Sequence, residues 1–147
     1  MPRKPFKIGK LSELAGYHLR RASTIFAIDF RATVEGTGMR QVLFGVLAVV
    51  EANPGISQGA VGTALGIKRA NMVSLINELV DGGLLERSVI PEDRRAYSLA
   101  LTPAGAAMIA NCMQKITAHE ARLLSPLSEA EREMLLDLLT RIEARVR

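Results

Sequence analysis

The sequence predicts a mainly α-helical fold with one small β-hairpin, on three observations. Apolar residues recur at three- and four-residue steps along most of the chain. That period gives way to two short strand-like runs only between Leu84 and Leu101. Helix-capping and turn residues punctuate each change. At 147 residues the chain is one domain's worth, long enough to bury a core.

The elements follow in order. Leu11, Leu14, Leu19, Ala22, Ile25 and Phe26 space a first helix from Leu11 to about Phe30, and Gly36-Thr37-Gly38 breaks the chain after it. Leu43, Val46, Leu47 and Val50 mark a second helix, stopped by Asn53-Pro54-Gly55. Ser57 is suited to cap a short third helix through Val61 and Leu65, closed by Gly66. A fourth begins near Lys68 and carries Met72, Leu75, Ile76 and Leu79 as one buried stripe. After Gly82-Gly83, the runs Leu84–Ile90 and Tyr97–Leu101 read as a hairpin around the five-residue turn Pro91-Glu92-Asp93-Arg94-Arg95. Thr102-Pro103 opens a long helix from about Ala104 to Leu123. Ser128-Glu129-Ala130-Glu131 is a capping box for the last helix, whose stripe is Leu135, Leu138, Leu139, Ile142 and Val146.

The order helix, short turn, helix, hairpin is that of a winged helix-turn-helix core, flanked here by apolar helices from both ends of the sequence. Residues 56–105 resemble the DNA-binding core of the MarR (multiple antibiotic resistance regulator) family. The resemblance is carried by Ile56-Ser57-Gln58, Leu65-Gly66-Ile67, Asn71-Met72-Val73, Leu79 and Gly83-Leu84-Leu85-Glu86-Arg87. Its most specific stretch runs from Asp93 to Gly105 and reads D-x-R-x-x-x-L-x-L-T-x-x-G, the wing signature of that family. Helix order on either side also fits, so the likeness covers nearly the whole chain. It implies a single domain over 1–147, with a winged helix-turn-helix core at 39–103. Residues 10–32 and 104–147 would form a helical dimerisation region. It further implies a transcription regulator, a repressor that binds a pseudo-palindromic operator as a homodimer and is released by a small effector.

A helix laid in the major groove, about 12 Å wide, needs an apolar inner face and a small, polar outer one. Lys68, Arg69, Ala70, Asn71, Val73, Ser74 and Asn77 fall largely on the outer side of the fourth helix. Arg69 suits guanine, Asn71 suits adenine or phosphate, and Ala70 and Val73 suit a thymine methyl. Ser57 and Gln58 at the start of the third helix are placed for phosphate contacts. Arg94 and Arg95 on a thin hairpin tip suit a narrow minor groove, where negative potential is enhanced. In the family the arginine at the position of Arg95 makes that contact and the aspartate at Asp93 braces the wing. Asp93 would otherwise repel phosphate, so pairing with Arg87 or Arg95 is expected.

Net charge is +4, and all of the excess lies in residues 1–56, which hold eight Lys/Arg against four Asp/Glu. The resemblance places an effector pocket between the dimerising helices and the core. Arg20, Arg21, Arg31 and Arg40 lie on or beside the first two helices, near Tyr17, His18, Phe26 and Phe30. Tyr17, His18, Arg21, Phe26 and Arg40 are accordingly the candidate effector residues. An anionic, partly aromatic effector is expected, such as a phenolic acid or an acyl-CoA thioester.

Other classes fare worse. The two histidines, His18 and His119, lie about a hundred residues apart, and one cysteine with two histidines makes a poor zinc set. There is no G-x-S-x-G, P-loop, H-E-x-x-H or G-x-G-x-x-G. No enzyme, metal or cofactor is expected. A winged-helix module that binds only protein would not need Arg69, Asn71, Arg94 and Arg95. Cys112, beside Met108, Ile109 and Met113, reads as a buried thiol rather than a redox switch, and a lone cysteine fits a reducing cytoplasm. The longest strongly apolar stretch, Val42–Val50, is about nine residues, too short for a membrane span of about 20. No apolar run of signal-peptide type follows the basic start Arg3, Lys4, Lys7 and Lys10.

Overall fold

The computed structural model describes residues 6–146; Arg3 and Lys4 lie outside the described residues, as does the side chain of Val146. Six helices and one antiparallel hairpin are present among them. They are α1 (Ala15–Thr33), α2 (Gln41–Ala52), α3 (Gln58–Leu65), α4 (Arg69–Asp81), β1 (Leu85–Ile90), β2 (Asp93–Leu101), α5 (Pro103–Leu123) and α6 (Glu129–Glu143). None of these helices is long and apolar enough to cross a membrane.

The expected first helix starts four residues late. Gly9–Glu13 form a 3-10 segment, and Leu14 is extended at φ −99°, ψ 113° before α1 begins at Ala15. The Ser12 hydroxyl donates to the Gly9 carbonyl, and the His18 ring meets the Ser12 carbonyl at 3.0 Å, so local bonds fold the segment back. Leu11 and Leu14 continue the apolar spacing yet stay about half exposed. Periodicity alone does not distinguish a 3-10 turn from the first turn of a helix.

The core forms where α2 and α4 present their stripes to each other and to the base of the hairpin. Val46, Leu47, Ile76 and Leu99 are fully buried there, and Val61 of α3 and Cys112 of α5 complete it. Burial of each large aliphatic side chain is worth about 1.5–3 kcal/mol. Helix starts follow the local chemistry. The Ser57 hydroxyl accepts the Ala60 N–H and that of Thr102 accepts the Gly105 N–H, while Ser128 and Glu131 form a full capping box. Gly105 lies so close to α5's neighbour that a methyl there would overlap the Leu84 carbonyl oxygen.

The wing differs from the expected five-residue turn. β2 starts at Asp93, paired with Ile90, and the register shifts before Val89 pairs with Tyr97. Only Pro91 and Glu92 remain at the tip, and Arg94, Arg95 and Ala96 are the surplus residues of a bulge. The Asp93 side chain drives this by accepting the Arg95 N–H at 3.0 Å, a local turn that competes with regular pairing. The loop before α3 adds a third, short rung: Leu99 N–H donates to the Ile56 carbonyl, Gly55 N–H donates to the Leu99 carbonyl, and Ser57 bridges Ser98.

Candidate nucleic-acid interface

The turn between α3 and α4 depends on Gly66, which ends α3 in the left-handed region at φ 65°. Ile67 N–H then returns to the Gly62 carbonyl at 2.8 Å, and α4 starts within two residues. Met72, Leu75, Ile76 and Leu79 face the core, which turns Lys68, Arg69, Ala70, Asn71, Val73, Ser74 and Asn77 outward, all exposed. No side chain caps α4; the Asn71 N–H donates to the Lys68 carbonyl at 2.9 Å, and among the described residues the N–H groups of Arg69 and Ala70 have no partner. Such a helix start attracts anions through its N–H groups and its dipole.

Between this helix start and the wing lies a concave channel of about 880 Å³. Of the residues singled out in the sequence, Ser57, Gln58, Lys68, Arg69, Val73, Asp93 and Arg95 line it. Asn71 and Ser74 line a shallower depression on the α2 side of α4, which shares Lys68 with the channel. Arg94 is exposed on the bulge. Thr63, Ala96 and Tyr97 also line the channel, and sequence reasoning passed over them. The alternation along β2 was the available signal for Tyr97, whose ring faces out beside Arg95 rather than into the core.

The bracing of the wing takes a different form from the expected ion pair. Asp93 holds the Arg95 main chain, not a guanidinium. Arg87 instead donates to the Asn77 side-chain oxygen at 2.8 Å and lies 4.9 Å over the Tyr97 ring. Arg87 therefore ties β1, β2 and the end of α4 together, and Asn77 serves that bond from the helix side. The carboxylamide oxygen of Gln58, buried in the channel wall, has no partner among the described residues.

The candidate effector residues do not converge. Tyr17 accepts a hydrogen bond from Arg21, with Arg20 and Arg21 both within 6.0 Å of its ring, on the outside of α1. That bond raises the pKa of Arg21 further. His18 is exposed on the same turn. Arg40 stands just before α2 without capping it, and pairs with Glu78 of α4. Only Phe26 lines the cavity of about 250 Å³ among α1, α2 and α5. Sequence reasoning missed the polar wall of that cavity, Asp29 and His119, which meet at 3.2 Å across 90 residues of sequence. An acid set between Ile28 and Phe30 in an apolar helix was the one available sign.

Residues 38–96 match the model of the MarR family. A protein of Thauera aromatica, named as a transcriptional regulatory protein for the hcr operon, is 36% identical over 135 residues, covering 91% of this chain and 81% of its own length. The chain belongs to the MarR family. Its relatives are transcriptional regulators, and its six helices and hairpin are the family's winged-helix fold. Among solved structures of MarR regulators, the repressor CouR bound to a 23-mer DNA duplex is 38% identical, with a TM-score of 0.90 over 95% of this chain and 99% of CouR. CouR bound to p-coumaroyl-CoA is 36% identical over the aligned part, with a TM-score of 0.83 over 95% and 98% of the two chains.

Proposed function

We propose that this MarR-family chain is a ligand-responsive repressor that grips a pseudo-palindromic operator as a homodimer. The observation that carries the reading is the channel between the uncapped start of α4 and the wing, with Lys68 and Arg69 on one wall and Arg95 on the other. A duplex seated there receives α4 in its major groove, read by Arg69, Ala70, Asn71 and Val73. Arg95, with Arg94 beside it, enters the adjoining minor groove. Ser57 and Gln58 hold phosphate, and Asp93 and Arg87 keep the wing in place. CouR, of the same fold, has been solved on a duplex.

Residues 10–32 and 104–147 form the dimerising base and 39–103 the head. Within one chain α6 buries no residue, and Leu138 and Ile142 of its expected stripe stay 44% and 54% exposed. On α1, Ile25 and Ile28 are exposed as well. A second copy covers these faces and sets two heads about 34 Å apart, one turn of DNA. The effector is a small anionic aromatic compound that binds beside α1 and α2 and puts the two heads out of step; CouR has been solved with an aromatic acyl-CoA.

Footprinting on DNA flanking the chain's own gene tests the proposal. A protected pair of half-sites about ten base pairs apart is expected, with protection lost on adding the effector. A chain that stays monomeric, or that shifts no duplex at low salt, overturns it.

A further inference from the structure

Arg87 is held differently from the arginines that meet a carboxylate, such as Arg40, Arg122 and Arg141. Its Nη1 donates to the neutral side-chain oxygen of Asn77 at 2.8 Å, and it forms no ion pair among the described residues. Neither Asp81, one turn past Asn77 on α4, nor Glu86, which alternates to the opposite face of β1, pairs with it. A carboxylate at position 77 would hold the guanidinium more strongly, through a charge-assisted bond. The amide keeps the tie and leaves the charge uncompensated.

The groups at this junction are chiefly donors. Arg87 has five N–H bonds and gives one to Asn77. The Tyr97 ring, 4.9 Å away, covers one face of the guanidinium and leaves its edge open. Among the described residues Arg87 Nε and Nη2, Asn77 Nδ2 and the Tyr97 hydroxyl have no hydrogen-bond partner. All three side chains are exposed.

Their place in the fold gives these donors a use. Arg69 and Val73 line the channel, and Asn77 continues their row at the next four-residue step along α4. About 12 Å of helix separates Arg69 from Asn77. When α4 lies in the major groove and the wing in the adjoining minor groove, one sugar–phosphate strand divides the two grooves. That strand has to pass between α4 and β2. Arg87 spans this space, from Asn77 on α4 to Tyr97 on β2.

We infer that Arg87, Asn77 and Tyr97 form a phosphodiester site, which grips the strand between the two grooves as well as tying the wing to α4. The inference rests on the DNA-binding reading above and deepens it, because it gives Arg87 a contact of its own. The site touches no base, so it sets how deeply α4 and the wing sit and carries no preference for sequence.

Uncharged methylphosphonate linkages, placed one at a time in the duplex protected by footprinting, test this with the full chain by fluorescence anisotropy. One linkage per half-site, on the strand between the grooves, is expected to weaken the native chain about tenfold and Arg87→Gln less than about twofold. Arg87→Gln should itself bind every duplex about tenfold more weakly, with a shallower salt dependence. Asn77→Asp turns the tie into an ion pair, so the urea midpoint at neutral pH should hold or rise while DNA affinity falls about tenfold. Asn77→Ala loosens the tie but keeps the charge, and should lose less affinity than Asn77→Asp. If Arg87→Gln does not fold, the order of the two Asn77 variants decides. A methylphosphonate profile unchanged by Arg87→Gln, or Asn77→Ala binding more weakly than Asn77→Asp, makes Arg87 a brace alone; either overturns the inference and leaves the DNA-binding reading standing. A native chain that shifts no duplex at low salt overturns both.

Discussion

Arg40, at the start of α2, clasps Glu78 of α4 through two hydrogen bonds of 2.6 and 2.8 Å. It is the two-pronged arrangement that a guanidinium makes with a carboxylate. The pair fastens α4 to α2, a helix that borders the cavity among α1, α2 and α5, across 38 positions of sequence. The bond from Arg40 holds the Glu78 carboxyl below its ordinary range and raises Arg40.

The sign of the pH effect follows. A carboxyl whose folded pKa is lowered adds stability that is complete above its unfolded value and is lost as pH falls through the folded one. The urea midpoint of the native chain should therefore exceed that of Glu78→Gln at pH 7, with the gap closing as pH drops below about 4. Both side chains are about half exposed, so added salt should narrow the gap at neutral pH as well.

The walls of the channel should separate by salt and by sequence. Lys68→Ala is expected to weaken binding to all duplexes alike and to lower the slope of log affinity against log salt by about one. Arg69→Ala should cost about 1–3 kcal/mol and relax the preference at a single base pair. Arg95→Ala should lose about tenfold or more, most on operators with a narrow A·T-rich minor groove. Mobility shifts across a salt series, with a small panel of operator variants, read all three.

Gly105→Ala should be the most damaging small change in the chain. The added methyl has no room beside the Leu84 backbone, and no flexible side-chain end is there to give way. A loss of about 2 kcal/mol or more is expected by urea unfolding. Gly59→Ala, where the same methyl meets open space, is the matched control and should cost little.

Leu138→Glu combined with Ile142→Glu should leave a folded monomer. Neither position is buried within the chain, so helix content by circular dichroism should hold while sedimentation reports half the mass.

Cys112 is fully buried, its Sγ 3.8 Å from the Met108 sulfur. Thiol reagents should label the native chain only as fast as it opens, and the unfolded chain at once.

Much of the fold was legible because its signals are local. Ser57, Thr102-Pro103 and the Ser128/Glu131 box each act within three residues, and all cap the helices they were expected to cap. The stripe of α4 was legible for the same reason. Leu11 was misplaced because a 3-10 turn keeps nearly the same spacing of apolar residues as a helix. The bulge at Arg94–Ala96 was hidden because one hydrogen bond, from Arg95 N–H to Asp93, sets the register, and strand propensity does not record it.

The charged residues of the channel were named in advance, since helix geometry puts Lys68 and Arg69 outside once Met72 and Ile76 are inside, whereas Thr63, Ala96 and Tyr97 were not. The cavity was mostly missed. Tyr17 and Arg21 were grouped by closeness along α1, and at four residues apart they satisfy each other instead. Asp29 and His119 come together only through the packing of α1 on α5, which no local pattern encodes.

The rung joining Gly55 and Ile56 to Leu99 has a mechanical consequence. With Arg87 bolting the wing to Asn77 on the far side, the wing and the helices α3 and α4 are tied into one frame. On the proposed reading, a slight tilt near α1 carries this frame as a lever and is largest at its far end, Pro91 and Glu92. Control of this molecule then becomes a question of leverage, and the stiffness of the two backbone bonds at Leu99 sets the gain.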